Sequence, residues 1–147
     1  MFIFEIHGPL IPQKQTRCTC IGGHPRMYDP GKKEKEMMQW QIKPFAPKEP
    51  LKGAIELSLT FLFPIPKGTS SKKRIAMLNR VILPTIKPDE DNLAYLITNA
   101  LKKLVYEDDK QVCAKHVYKF YNDEAKTIIK VREILQIDPV GYHANDI

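Results

Sequence analysis

Between Asp91 and Leu104 the sequence places Leu93, Leu96, Ile97, Ala100, Leu101 and Leu104 at the i, i+3, i+4, i+7, i+8 and i+11 positions of a helix. A strand turns alternate residues to opposite faces, so it cannot gather this set on one side. The stretch must fold as a helix whose single apolar stripe lies against another surface. Asp91 reads as its N-cap, and a negative charge suits that end of the helix dipole. Lys102 and Lys103 read as its last turn, where positive charge is favoured. The clearest strand lies at residues 54–63, where Ile55, Leu57, Leu59, Phe61 and Phe63 alternate with Glu56, Ser58 and Thr60. That is a strand with one buried face.

The other elements can be read in chain order. Phe2 to His7 alternates as a strand and ends at Gly8-Pro9. Residues 10–30 read as a long loop with a turn at Gly22-Gly23, made cationic by Lys14, Arg17 and Arg26. Asp29-Pro30 starts a helix that runs from Lys32 toward Phe45 and ends near Pro44. Ser70 or Ser71 caps a short helix carrying Lys72, Lys73 and Arg74. Residues 79–86 read as an extended lead-in to the next helix. Residues 112–121 and 127–134 read as two strands joined by a short polar link, which predicts a C-terminal antiparallel hairpin. The order β-α-β-(short α)-α-β-β predicts a single α+β domain over residues 1–135. Its mixed four-stranded sheet carries packed helices, and residues 136–147 form a loosely ordered tail.

A chain of 147 residues is long enough for one real core. Its 23 Lys and Arg against 17 Asp and Glu give a net charge of +6, which favours a nucleic acid or another polyanion as partner. No apolar run approaches the roughly 20 residues that cross a bilayer, and the N-terminus lacks the pattern of a signal peptide. A cytoplasmic protein with no membrane partner is expected. Three cysteines, an odd number, are expected as free thiols. Cys18, Cys20 and His24 lack the paired C-x-x-C spacing of structural zinc sites, and Cys113 is distant.

Against the basic background, acidic residues gather on either side of the central helix: Asp89 and Asp91 before it, Asp108 and Asp109 after it. In an extended stretch, carboxylates at i and i+2 point the same way. Held together they repel unless a cation or proton neutralises them. Hard cations such as Mg²⁺ take oxygen ligands and retain waters for substrate phosphates. Asp109 adds a third carboxylate if both helix ends lie near one site. The structural alternative is a helix cap at Asp91, a solvated Glu90 and a turn at Asp108-Asp109.

Here the sequence resembles a known family. K-P-D-E-D-N-L, then N-A-L, then E-D-D-K-Q-V is similar to the RusA family of Holliday junction resolvases. That family's pattern is K-P-D-x-D-N-L-x-K, D-A-L and D-D-x-Q-V or D-D-x-Q-I, with a lysine on the next strand. The early H-G-P-L-I-P and the S-S-K-K-R segment resemble family counterparts, so the likeness covers residues 1–134. It implies Asp89, Asp91 and Asp109 as catalytic metal-binding carboxylates, with Asp108 as their acidic neighbour and Lys119 near the strand lysine. It also implies a Mg²⁺-dependent homodimer, with Mn²⁺ as a possible substitute. Such a dimer makes paired symmetric nicks in a four-way DNA junction during recombination and repair, in a phage or prophage setting. Lys14, Arg17, Lys72, Lys73, Arg74, Lys87 and Lys119 are the expected DNA contacts. Two departures stand out: Tyr95 replaces the lysine four residues after the second Asp, and Asn99 replaces the Asp of D-A-L. Lys87, Lys102 and Lys110 are candidates to supply the missing charge. The rival readings are a non-catalytic branched-DNA-binding protein of the same fold and a nuclease for other branched DNA.

Overall fold

A computed structural model describes residues 1–14 and 17–134. The elements are β1 (Phe2–His7), β2 (Arg17–Ile21), β3 (His24–Tyr28), α1 (Lys32–Ile42), β4 (Ala54–Pro64), α2 (Ser71–Leu78), α3 (Glu90–Leu101), β5 (Val112–Asn122) and β6 (Lys126–Ile134). Short 3-10 turns occupy Lys43–Phe45 and Asp109–Gln111. Four strands form one mixed sheet in the order β1-β6-β4-β5, and β2 pairs with β3 in a separate ribbon. This is the expected α+β class with its mixed four-stranded sheet. The tail expected at 136–147 lies outside the described residues.

β4 takes the centre because it can pair along both edges. Its alternation runs unbroken for eleven residues, and Pro64 stands at its end, where no interior ladder donor is lost. It pairs antiparallel with β6 and parallel with β5. Parallel pairing needs a long crossover, and residues 65–111 provide it, carrying α2 and α3. Leu57, Leu59, Phe61 and Phe63 of β4 meet Leu93, Leu96, Ile97, Ala100 and Leu101 of α3 in one core, completed by Phe4, Ile129 and Val131. Each Leu, Ile, Val or Phe side chain buried this completely contributes about 1.5–3 kcal/mol of transfer free energy.

Several expectations are refined. β5 and β6 run antiparallel through a tight connection, as expected of the C-terminal pair, but β4 lies between them. They hydrogen-bond to its two edges, because the most apolar strand needs a neighbour on each side. The cationic loop expected at 10–30 contains the β2–β3 hairpin. Gly22 (φ 60°) and Gly23 (φ 81°) supply two positive φ values in succession, which the tight hairpin turn requires. Residues 79–82 form turns and bends at the start of the segment expected to be extended. The amides of Val81 and Ile82 donate to Ala76 O, and Arg80 adopts a φ of 61°.

Candidate metal and nucleic-acid site

Asp89, not Asp91, is the N-cap of α3. Three acids in succession all suit the helix dipole, and the helix begins directly after the Pro88-Asp89 step. Asp89 has the extended backbone of a cap (φ −69°, ψ 146°), yet its side chain makes no capping bond. Its carboxylate is therefore not committed to the helix. Asp91, two residues further in, accepts from the Asn92 amide at 2.8 Å. Both residues are exposed.

The turn that presents them is tied down from two directions. The Gln13 amide donates to Asn92 O at 3.0 Å, docking the segment after β1 onto the first turn of α3. Lys119 reaches from β5 and donates to Ile86 O at 2.7 Å and Pro88 O at 3.0 Å. Its ammonium lies 4.8 Å from the centre of the Phe63 ring. Between these supports opens a cavity of about 260 Å³ lined by Pro12, Gln13, Lys87, Pro88, Asp89 and Asn92.

Asp108 and Asp109 lie beyond the other end of α3. The helix stops at Leu101, so Lys102 and Lys103 fall past its last turn; Lys103 takes a φ of 67°. The following loop is stitched to the chain before β4: the Leu51 amide donates to Val105 O at 2.9 Å. Tyr106 is fully buried, and its hydroxyl donates to Thr98 O at 2.9 Å. Asp108 then caps a 3-10 turn, accepting from the Lys110 amide, while Gln111 Oε1 accepts from the Asp108 amide. Gln111 Nε2 also donates to Leu51 O and Gly53 O, at 2.9 Å each. Gln111 thereby fastens the acidic pair to the start of β4.

Lys102 bridges that pair, with its Nζ 3.1 Å from Asp108 Oδ2 and 3.1 Å from Asp109 Oδ1. The Lys110 amide, followed by Lys102, holds the Asp108 carboxyl down at about 2. The two carboxylates in turn push the Lys102 pKa upward. Burial raises the Tyr106 pKa, and Asp109 adds to the effect.

The twelve residues of α3 span about 18 Å, so its two acidic ends stand apart. Among the described residues, no group of three or more His, Cys, Asp or Glu side chains converges as a metal cluster. Asp89 and Asp91 share the turn; Asp109 is not brought to them, because a straight helix keeps its ends separate. The donor chemistry at the turn suits a hard cation, with exposed carboxylate oxygens and room left for water and phosphate.

Of the expected phosphate contacts, Lys72 and Lys73 are exposed on α2 and unpaired among the described residues. Lys87 is exposed at the cavity. Lys14 pairs with Glu34 at 2.5 Å, and Arg74 pairs with Asp123. Arg17 opens β2. Tyr95 is 57% exposed and shares one face of α3 with Asp91, by i, i+4 spacing. Cys18, Cys20 and Cys113 are free and exposed. No helix among the described residues is long and apolar enough to cross a membrane. The structural anchors Gln111 and Lys119 hold both acidic segments, a role the sequence alone did not reveal. The hint was their position, one just after Asp109 and one on the strand that follows.

Compared with known proteins, residues 7–132 match the family model described as Endodeoxyribonuclease RusA. The uncharacterized protein YqaN of Bacillus subtilis (strain 168) is 31% identical over 135 residues, covering 89% of this chain and 95% of that protein.

Proposed function

Since this chain belongs to the RusA endodeoxyribonuclease family, we propose that it is a Mg²⁺-dependent, structure-selective endonuclease that resolves Holliday junctions by paired symmetric nicks. The observation that carries the reading is the acidic turn. Asp89 caps α3 without using its carboxylate, Asp91 stands beside it, and both face solvent next to an open cavity. Asp89 and Asp91 would hold the cation, with Mn²⁺ as a substitute. When bound, it would lower the pKa of a coordinated water and offset charge on the phosphate being cut.

The chain's own residues do the rest. Lys87 at the cavity rim and Lys72 and Lys73 on α2 neutralise backbone phosphates, so binding falls steeply with salt. Arg17 is a further expected phosphate contact, and Lys14 and Arg74 would extend the basic surface while sharing their charge with Glu34 and Asp123. Asp109 is the third carboxylate of the family pattern, held by Lys102 beyond the far end of α3. A two-fold homodimer would present two equal sites to a two-fold junction. The reading places the protein in the cytoplasm, in recombination and repair.

The test is cleavage of a synthetic four-way junction, a flap and a linear duplex, each with Mg²⁺ and with EDTA. The proposal expects Mg²⁺-dependent paired nicks in the junction and little cutting of the duplex. Preferential cutting of the flap would favour a nuclease for other branched DNA. A second reading, a branched-DNA-binding protein without chemistry, is favoured by one specific observation: Tyr95 offers a neutral hydroxyl where the family has an ammonium. Tight junction binding without cleavage would select it.

A further inference from the structure

We propose that Lys119 is a positioning residue for the acidic turn rather than a DNA contact; the inference rests on the endonuclease reading above. Lys119 occupies the β5 position paired with Phe61 of β4, so it points to the face of the sheet where α3 packs. Its side chain is half-buried, and the ammonium is already engaged. It donates to Ile86 O and Pro88 O, the carbonyls on either side of Lys87, and it rests over the Phe63 ring. Two of its three N–H donors are used within the protein.

The choice of carbonyls gives the arrangement its meaning. Pro88 O belongs to the peptide plane that carries the Asp89 amide. Fixing that oxygen fixes the plane, and with it the direction in which the Asp89 side chain leaves the backbone. Asp89 O accepts from the Leu93 amide on the helix side. The peptide planes before and after Asp89 are thus held by separate bonds, one from β5 and one from α3. The sheet aims the carboxylate through Lys119. Groups that orient metal ligands in this way typically change metal affinity or activity by about 10–100-fold when removed.

A phosphate contact and a positioning role predict different losses. Removing a phosphate contact weakens junction binding at every sequence and lowers the salt slope by about one. Removing a positioning residue leaves binding intact and loosens the cation site. The experiment compares Lys119→Met, which keeps the stem over Phe63 but loses all donors, with Lys119→Gln, which loses the charge but keeps an amide donor. Mn²⁺ affinity is measured without DNA, junction affinity is measured in EDTA across a salt series, and amide hydrogen exchange is followed at residues 89–92.

The proposal expects Mn²⁺ affinity to fall at least tenfold in Lys119→Met and less in Lys119→Gln. Junction affinity should stay within twofold at an unchanged salt slope, and exchange should quicken at residues 89–92 while β4 stays protected. Wild-type Mn²⁺ affinity and exchange in both variants, with a lowered salt slope, would overturn it. If Lys119→Met fails to fold, Lys119→Gln decides by the same measurements. A wild-type protein that takes up no Mn²⁺ would count against the endonuclease reading, and the exchange measurement would still decide the role of Lys119.

Discussion

Lys102 Nζ lies 3.1 Å from Asp109 Oδ1 and equally far from Asp108 Oδ2, so one ammonium bridges two adjacent carboxylates. Neighbouring carboxylates repel, and this contact, with the Lys110 amide, favours the charged form of Asp108. It also separates the roles of the two ends of α3. The acids at the C-terminal end are neutralised within the chain, whereas those at the N-terminal end face solvent.

That arrangement gives a titration prediction. Asp108 is held at about 2, below its ordinary 3.8, so its native interactions favour the ionised form. Their contribution is present above about pH 4 and is lost as pH falls toward 2. Carboxyl NMR should place the Asp108 midpoint near 2 in the wild type. In Lys102→Met the midpoint should move partway to the ordinary value, because the larger cause, the Lys110 amide, remains. An unmoved midpoint would show that Lys102 does not act on Asp108.

Gln111→Ala removes three hydrogen bonds, to the Asp108 amide and to Leu51 O and Gly53 O. The expected cost is about 1–3 kcal/mol, measured by urea unfolding, since the half-buried partners lose a bond without full access to water. Cleavage should fall further than stability, because the same residue orients Asp108-Asp109. Equal losses would reduce Gln111 to a purely structural role.

Much of this fold was legible beforehand. The stripe on α3 and the alternation of β4 each had to be buried, and they are buried against each other. The place of β4 between β5 and β6 was not legible, because a short link between two strands specifies direction and not adjacency. The β2–β3 hairpin was hidden in a polar, cationic segment, where only Gly22-Gly23 marked the turn. At the site, the spacing of Asp89 and Asp91 placed two carboxylates in one turn, and only the family resemblance assigned them as metal ligands. Which of them caps α3 was not legible, because either charge satisfies the helix dipole. Lys119 read as lying near the family's strand lysine and as a DNA contact; only the three-dimensional path of β5 brings it to Pro88 O.

Tyr95→Lys restores an ammonium on the face of α3 one turn beyond Asp91. On an exposed position the change should leave stability within about 0.5 kcal/mol. If charge at this position assists the reaction, the single-turnover rate on a junction should rise about tenfold or more, with junction affinity improved only slightly. An unchanged rate would show that another cation already fills the role.

The most direct measurement is Mg²⁺-dependent cleavage of a synthetic four-way junction by the wild-type protein and by Asp89→Asn, with binding followed in parallel. The account predicts paired nicks by the wild type. It predicts a loss of at least a hundredfold in the variant and junction affinity undiminished, because one negative charge has been removed from the DNA-facing surface. Cleavage by Asp89→Asn at the wild-type rate would contradict the assignment of the acidic turn as the catalytic centre.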